Sequence, residues 1–259
     1  MEIVCLGREK LIIRENSTLR ANYAVLQEGD IIIGRLRLHD SEESMLLDLC
    51  QRGVHLVPSG LAQLASRSKV FQATLFSSFM LPLTSAIHSL HDLRTAMTAY
   101  QENSISAVVT KLDRKNAGMG VFLWQSIEEV FTHASLGTLP IPFVLQPFEP
   151  DCRDIRVVLL DDYYEAYRRH NQYNFRNNLH HGGKSKECTI SDEQQQLCRL
   201  VMERGRFPYA HIDLLITREG KSYLGEINLR GGIRGAKISP AQYQTRIEAI
   251  HEKLLRKLL

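Results

Sequence analysis

The chain has 259 residues, with 32 Lys and Arg against 29 Asp and Glu, a formal net charge of +3. Hydrophobic residues make up 44% and charged residues 24%, ordinary globular usage that excludes a largely disordered chain. The basic residues are scattered rather than gathered in one run, which argues against a dedicated nucleic-acid binder but leaves room for a local basic pocket for an anionic small molecule.

At about 150 residues per domain, the length fits one large or two small domains. Such a chain can bury a core without metal or disulfide staples. Cys5, Cys50, Cys152, Cys188 and Cys198 form no C-x-x-C pair. Their odd count suits a reducing compartment, and buried or inert thiols are expected. Met1–Gly7 lacks the pattern of a signal peptide, and no apolar run approaches the roughly 18 residues needed to span a bilayer. The expected location is the cytoplasm.

In chain order, Met1–Leu6 reads as a short strand. Asp30–Leu36 contains the β-branched run Ile31-Ile32-Ile33, which suits a buried strand. Asp40 with Glu43 makes a capping box for a helix carrying Met45, Leu46, Leu49 and Cys50, closed by Gly53. Val54–Val57 is a second strand stopped by Pro58. Strand, helix, strand implies a parallel crossover. Leu61–Met80 reads as helical, Leu81-Pro82-Leu83 as extended, and Leu90–Tyr100 as a helix. Ala107–Leu112 and Val121–Trp124 read as strands around the polar loop Asp113–Gly120, and Phe143–Gln146 as a strand ending at Pro147. Ile155–Leu160 with Tyr163–Arg168 makes a hairpin. Ser191 and Gln194 box the start of a helix that runs to about Gly205. Ile212–Thr217 and Ser222–Asn228 make a further hairpin, and Pro240–Leu259 an amphipathic basic helix. No internal repeat is visible. The fold class is α+β behind an α/β N-terminal part, with a boundary near Pro58–Ser68.

The last hairpin carries the clearest chemistry. A turn centred between Glu219 and Gly220 sets Asp213 opposite Glu226, with side chains about 5 Å apart. Asn228, two residues on, projects from the same face. Two carboxylates and an amide oxygen suit Mg²⁺, which takes a few carboxylates plus substrate phosphates rather than a full protein cage. The alternative is a solvated edge hairpin. The apolar neighbours Ile212, Leu214, Leu224 and Ile227 favour the metal, since opposed like charges there repel unless a cation lies between them.

Lys111 ends an apolar strand beside a loop holding Asn116, Gly118 and Gly120, a candidate phosphate clamp or a snorkelling surface lysine. The stretch Arg168–Gly183 gathers Arg168, Arg169, Arg176, Asn177, Asn178, His180, His181, Gly182 and Gly183. It suits phosphate and carboxylate oxygens or is simply a solvated loop, and the paired histidines lack a third zinc ligand at recognisable spacing. Arg230 and Arg234 lie in a glycine-rich loop that leaves the proposed metal face; it either reaches an anionic substrate or is an ordinary mobile loop. No nucleophile motif is present.

Taken together these residues resemble the ATP-grasp superfamily, in particular the RimK-like glutamate ligases and their glutathione-synthetase relatives. The matching pieces run in the family's order over roughly residues 59 to 240. They are Ser66-Arg67-Ser68-Lys69 with its helix and the exit Leu81-Pro82-Leu83-Thr84, then Val108–Lys111 with its glycine loop, then the hinge Val144-Leu145-Gln146. Asp154-Ile155-Arg156 matches D-I-R, and Phe175-Arg176-Asn177-Asn178-Leu179-His180-His181-Gly182-Gly183 is similar to F-R-[ST]-N-L-x-x-G-G. Asp213, Glu226 and Asn228 fall on D…E-x-N.

The resemblance implies an ATP-grasp fold, two α+β subdomains gripping ATP, after a shortened first domain. The expected division is 1–60, then 61–145 as the lid subdomain and 146–259 as the metal-binding one. It implies an ATP-dependent carboxylate–amine ligase working through an acyl phosphate. Lys69 and Lys111 would contact the nucleotide, Gly118 and Gly120 form the lid, Gln146, Phe148 and Glu149 meet adenine, and Asp154 lie near the ribose. Arg176 and Asn178 would be catalytic, holding phosphate or acyl-phosphate oxygens. Asp213, Glu226 and Asn228 would hold one or two Mg²⁺, with Mn²⁺ as a substitute. Arg168, Arg230 and Arg234 would face a small-molecule or peptide carboxylate and an amine co-substrate. Neither specific nucleic acid nor membrane is implied, and a homo-oligomer is left open. Replacing Asp213 or Glu226 by Ala is expected to abolish turnover with the fold intact.

Two departures stand out. Pro147 replaces the acidic residue usual after the hinge glutamine. It keeps a carbonyl but has no N–H, which leaves the N–H of Phe148 or Glu149 to read adenine. The first domain is also short, and it normally helps form the acceptor site. A small-molecule kinase on the same fold, or a non-catalytic nucleotide-binding regulator, are the alternatives.

Overall fold

The computed structural model describes residues 8–115, 118–177, 179 and 182–259. The expected strand at Met1–Leu6 and Cys5 lie outside them.

The first unit contains β1 (Ile12–Ile13), α1 (Asn16–Asn22), β2 (Ile31–Ile33), α2 (Ser44–Gln51) and β3 (His55–Val57). The three strands form one parallel sheet in the order β1-β2-β3, as the strand–helix–strand pattern requires. All three isoleucines of β2 are buried. One detail differs from expectation. The capping box is His39 with Glu42, at a 3₁₀ turn over Asp40–Glu42, not Asp40 with Glu43. Glu43 is engaged elsewhere, by Arg114 and by Arg67 at 3.7 Å.

The helical stretch after Pro58 is two helices, α3 (Gly60–Ala65) and α4 (Lys69–Leu75). Ser59 Oγ accepts from Ala62 N at 3.2 Å and Ser68 Oγ from Phe71 N at 3.0 Å, so each helix has its own N-cap. The break between them turns Ser66, Arg67 and Lys69 toward a cleft.

A four-stranded antiparallel sheet follows, built from β4 (Ser85–Ile87), β5 (Val108–Leu112), β6 (Val121–Trp124) and β7 (Phe143–Pro147) in the order β4-β7-β5-β6. Helices α5 (Leu90–Glu102) and α6 (Ile127–Ser135) pack with it around Leu93, Val108, Val130, Phe143 and Leu145. Neither α6 nor β4 is expected from the residue pattern. Yet Ser126 caps α6 by accepting from Glu129 N, and Ile127, Val130 and Ala134 are buried at helical spacing.

The largest sheet has five antiparallel strands, β8 (Arg153–Leu160), β9 (Tyr163–His170), β10 (Lys184–Cys188), β11 (Tyr209–Ile216) and β12 (Ser222–Asn228), in the order β10-β9-β8-β11-β12. Arg168 ends the expected strand, and β9 runs on through Arg169 to His170. The main core lies between this sheet and α4, α7 (Asp192–Gly205) and α8 (Pro240–Leu255). α7 carries the expected Ser191–Gln194 box. α8 is tied down by two buried hydrogen bonds of 3.0 Å, Tyr209 to His251 and His211 to Tyr243.

Of the cysteines, Cys198 is buried and Cys152 and Cys188 are half-buried. Cys50 is exposed. All four are free thiols. No helix among the described residues is long and apolar enough to cross a membrane.

Candidate active site

The β11–β12 hairpin aligns Asp213 with Glu226 and His211 with Asn228. The route differs from a simple turn. Nearest the turn the pairs are Ile216 with Ser222, Leu215 with Tyr223 and Leu214 with Leu224, a register that would put Gly225 opposite Asp213. A β-bulge between the pairs Asp213–Glu226 and Leu214–Leu224 absorbs Gly225. The extra residue returns Glu226 to the face of Asp213. A Cβ on Gly225 would lie 3.1 Å from the Asp213 carbonyl oxygen and 3.2 Å from Leu215, so a side chain there would crowd the bulge.

This face lines a cleft of about 800 Å³ between the two antiparallel sheets, with the first unit at one end. Of the residues expected at the site, Lys69, Lys111, Gly118, Gln146, Phe148, Glu149, Asp154, Arg168, Arg176, Asp213, Glu226, Asn228, Arg230 and Arg234 all line it. Gly120 does not. It acts through its backbone, where φ is +79° and its carbonyl accepts from Leu112 N at 2.8 Å, closing the β5–β6 loop. Asn178 lies outside the described residues, as do Asn116, His180 and His181.

The carboxylates are not solvated. Arg156 grips Asp213 with two bonds, Nε to Oδ1 at 2.7 Å and a terminal nitrogen to Oδ2 at 2.8 Å. Arg169 reaches Asp213 Oδ2 at 2.8 Å and Asp154 Oδ1 at 2.6 Å. Burial alone would raise the Asp213 carboxyl, but Arg156 and Arg169 hold it well below the ordinary carboxylate range. Among the described residues Asp154 has an ion pair with Arg169 alone, and burial lifts its carboxyl instead. Strand register sets this row, since Asp213 pairs with Arg156 and Asp154 with Arg169. The sequence assigns neither arginine a specific role, although Arg156 stands in the D-I-R motif and Arg169 in the stretch Arg168–Gly183.

Lys69 Nζ lies 3.0 Å from Glu226 Oε1 and donates to Lys115 O at 2.6 Å. Lys111 is half-buried rather than snorkelling, and its Nζ reaches Gly225 O at 3.4 Å across the cleft. Burial pushes its ammonium below the ordinary lysine value, against the pull of Glu226. The two lysines thus both reach the β11–β12 hairpin. Arg176 donates to Val121 O at 2.9 Å, joining the β6 end of the lid to the large sheet.

At the hinge, Phe148 N donates to Ala107 O at 3.1 Å. That removes Phe148 as a backbone donor to a base and leaves Glu149 N–H, which has no acceptor among the described residues. The Phe148 ring still lines the cleft, edge-on to Phe175. The glycine-rich loop after Asn228 is also not free. Leu229 N donates to Ser66 Oγ at 2.8 Å, and a Cβ on Gly231 would come 2.7 Å from the His211 ring nitrogen.

The donor set fits Mg²⁺. Among the described residues no three His, Cys, Asp or Glu side chains form a protein cage. Two opposed carboxylates and an amide oxygen beside a basic cleft suit a cation that shares its coordination with phosphates. A carboxylate offers about four lone-pair sites, so Glu226, with Lys69 on Oε1, keeps acceptor capacity.

Comparison with known proteins agrees with this geometry. The family model of the RimK-like ATP-grasp domain matches residues 66–250. A probable alpha-L-glutamate ligase of Haemophilus influenzae is 25% identical over 219 residues, 81% of this chain and 70% of that protein. One from Aeromonas salmonicida is 28% identical over 189 residues, and the match spans 69% of this chain but only 61% of that protein. Among solved structures, D-cycloserine synthetase DcsG superposes with TM-score 0.63 at 13% identity, covering 95% of this chain and 100% of that one. ATP-grasp ligase PsnB, complexed with a precursor variant, Mg and ADP, gives 0.55 at 18% identity, covering 81% and 67%. At those identities the structures share the fold. The chain belongs to the RimK-like ATP-grasp family of ATP-dependent ligases.

Proposed function

We propose that this chain joins a carboxylate to an amine at the expense of ATP, through an acyl phosphate. The observation that carries this reading is Asp213 opposite Glu226, faced by Lys69 and Lys111 across one cleft. Adenine would lie against the wall of Val109, Gln146, Phe148 and Leu215, read by the Pro147 carbonyl and the Glu149 N–H. Asp154 would stand near the ribose. Lys69 and Lys111 would hold the phosphates.

Magnesium, held by Asp213, Glu226 and Asn228 as one or two ions with Mn²⁺ as a substitute, would neutralise charge on the phosphates. A substrate carboxylate oxygen attacks the γ-phosphorus, and ADP leaves with the electron pair of the broken bond. Arg176 at the lid, with Asn178, stabilises the anion, and the loop of Gly118 and Gly120 keeps water from the acyl phosphate. The amine then attacks the acyl carbon, phosphate leaves, and the nitrogen gives up a proton. No protein nucleophile is needed. Arg168, Arg230 and Arg234 would orient the two substrates. Residues 1–60 would act as a shortened first domain, 61–145 as the lid part and 146–259 as the metal-binding part.

The test is the product mass after incubation with ATP, Mg²⁺ and a panel of amino acids and peptides. Ligation adds the second substrate less one water. Gain of a phosphoryl group on a stable product would instead make the protein a kinase, and absence of ADP release across the panel would favour a nucleotide-binding regulator.

A further inference from the structure

The basic helix α8 contributes no residue to the cleft. Its last turns instead wall a second groove, of about 390 Å³, against β3 and the end of α7. His55, Leu56 and Val57 all line this groove. Successive side chains of a strand point to opposite faces, so three residues in a row mean that the groove runs along the edge of β3. That edge is open, because β3 is the end strand of its sheet. His55 N donates to Asp30 O at 2.8 Å and Val57 O accepts from Gly34 N at 2.7 Å, both on the β2 side. The residue between them turns its N–H and C=O outward, and neither group of Leu56 has a partner among the described residues.

Beside this edge, buried Phe207 and half-buried Leu254 and Leu258 supply apolar surface. Three exposed basic side chains, His55, Arg206 and Lys257, line the same groove, and no carboxylate does. None of the three has a side-chain hydrogen bond or ion pair among the described residues. Arg206 also stands in a strained conformation. α7 ends with Phe207 N donating to Met202 O at 2.9 Å and Arg206 N to Glu203 O at 3.1 Å, which sets Arg206 at φ +54°. That position usually takes glycine, and the left-handed region disfavours a residue with a Cβ. A guanidinium kept where glycine fits more easily, unpaired beside an apolar groove without acids, points to an anionic occupant.

We propose that the groove between β3 and α8 takes an extended acidic segment of a partner protein, added to the edge of β3 as a fourth strand. The Leu56 N–H and C=O pair with its backbone, its apolar side chains pack on Phe207, Leu254 and Leu258, and its carboxylates meet Arg206 and Lys257. Main-chain bonds to an open edge with side-chain pockets beside it are the elements of strand addition. No step of the ligase reading uses this groove, so the two stand or fall separately.

The test adds three short capped peptides to the full chain: one alternating Glu and Leu, one alternating Lys and Leu, and a backbone N-methylated copy of the first. Affinity is read by calorimetry, and the place of binding by amide hydrogen exchange. The Glu–Leu peptide should bind at least tenfold more tightly than either of the others and slow exchange of the Leu56 amide at least tenfold. Combining Arg206→Gly with Lys257→Ala should weaken that peptide at least tenfold. Arg206→Gly alone should melt no lower than wild type, which separates lost charge from lost folding. Equal binding of the Glu and Lys peptides, unchanged Leu56 exchange, an unchanged affinity in the double variant, or no binding at all would overturn the proposal. Equal binding of the N-methylated copy would make the groove a site for an amphipathic acid rather than a strand, and would overturn it as well.

Discussion

Asp213 and Glu226 face each other only because Gly225 is bulged out of the strand between them and the turn. Without the bulge Glu226 would point to the opposite face, among the apolar side chains of the core. Replacing Gly225 by Val sets a branched side chain against the Asp213 carbonyl and Leu215. Gly225→Val should weaken Mg²⁺-dependent ATP binding at least tenfold by calorimetry, with far-UV circular dichroism unchanged.

The two carboxylates differ in what else they hold. Asp213 neutralises buried Arg169 and half-buried Arg156, and removing one partner of a buried ion pair destabilises by about 3–5 kcal/mol. Asp213→Ala should therefore lose turnover and also lower the melting temperature. Among the described residues Glu226 has one ion pair, with Lys69, and a side-chain hydrogen bond with Asn228. Glu226→Gln should lose turnover at least a hundredfold while melting within about 2 °C of wild type, a shift of at most about 1 kcal/mol for a chain this size. Paired melting curves and ADP-release rates separate the two.

Lys111 is desolvated, so its charge is held at some expense to the fold. Lys111→Ala should reduce ATP affinity at least tenfold in calorimetry without lowering thermal stability. Unchanged ATP affinity would remove Lys111 from the phosphates.

Much of this was readable from residue order. The D…E-x-N spacing, the lysine strand and the hinge all lie on single strands or one hairpin, where neighbours in sequence fix neighbours in space. The pairing of Asp213 with Arg156 was not readable. It depends on β8 lying beside β11, a contact between segments 57 residues apart. The misplaced capping box at Asp40 has a tertiary cause too. Glu43 fits the local pattern, but Arg67 and Arg114 claim its carboxylate. Pro147 was seen, yet the loss of the Phe148 N–H to Ala107 follows only from the strand pairing.

Two buried histidines give the fold a pH dependence. Burial pushes His211 down to about 3 and lowers His251, against about 6.5 in an unfolded chain. The unfolded chain then binds protons that the folded one refuses, so stability rises with pH between about 3 and 6.5. Above pH 6.5 this contribution is fully present, and it is lost as pH falls through that window. His251→Gln should flatten the fall of the urea midpoint between pH 6.5 and 4.5 relative to wild type.

The most direct measurement is ADP release by the full chain with ATP, Mg²⁺ and the substrate panel, run side by side for wild type and Glu226→Gln. Wild type should release ADP only with Mg²⁺ and only when a carboxylate substrate is present, and Glu226→Gln should release almost none. ADP release by Glu226→Gln at the wild-type rate would show that the hairpin does not carry the metal, and the ligase reading built on it would fall.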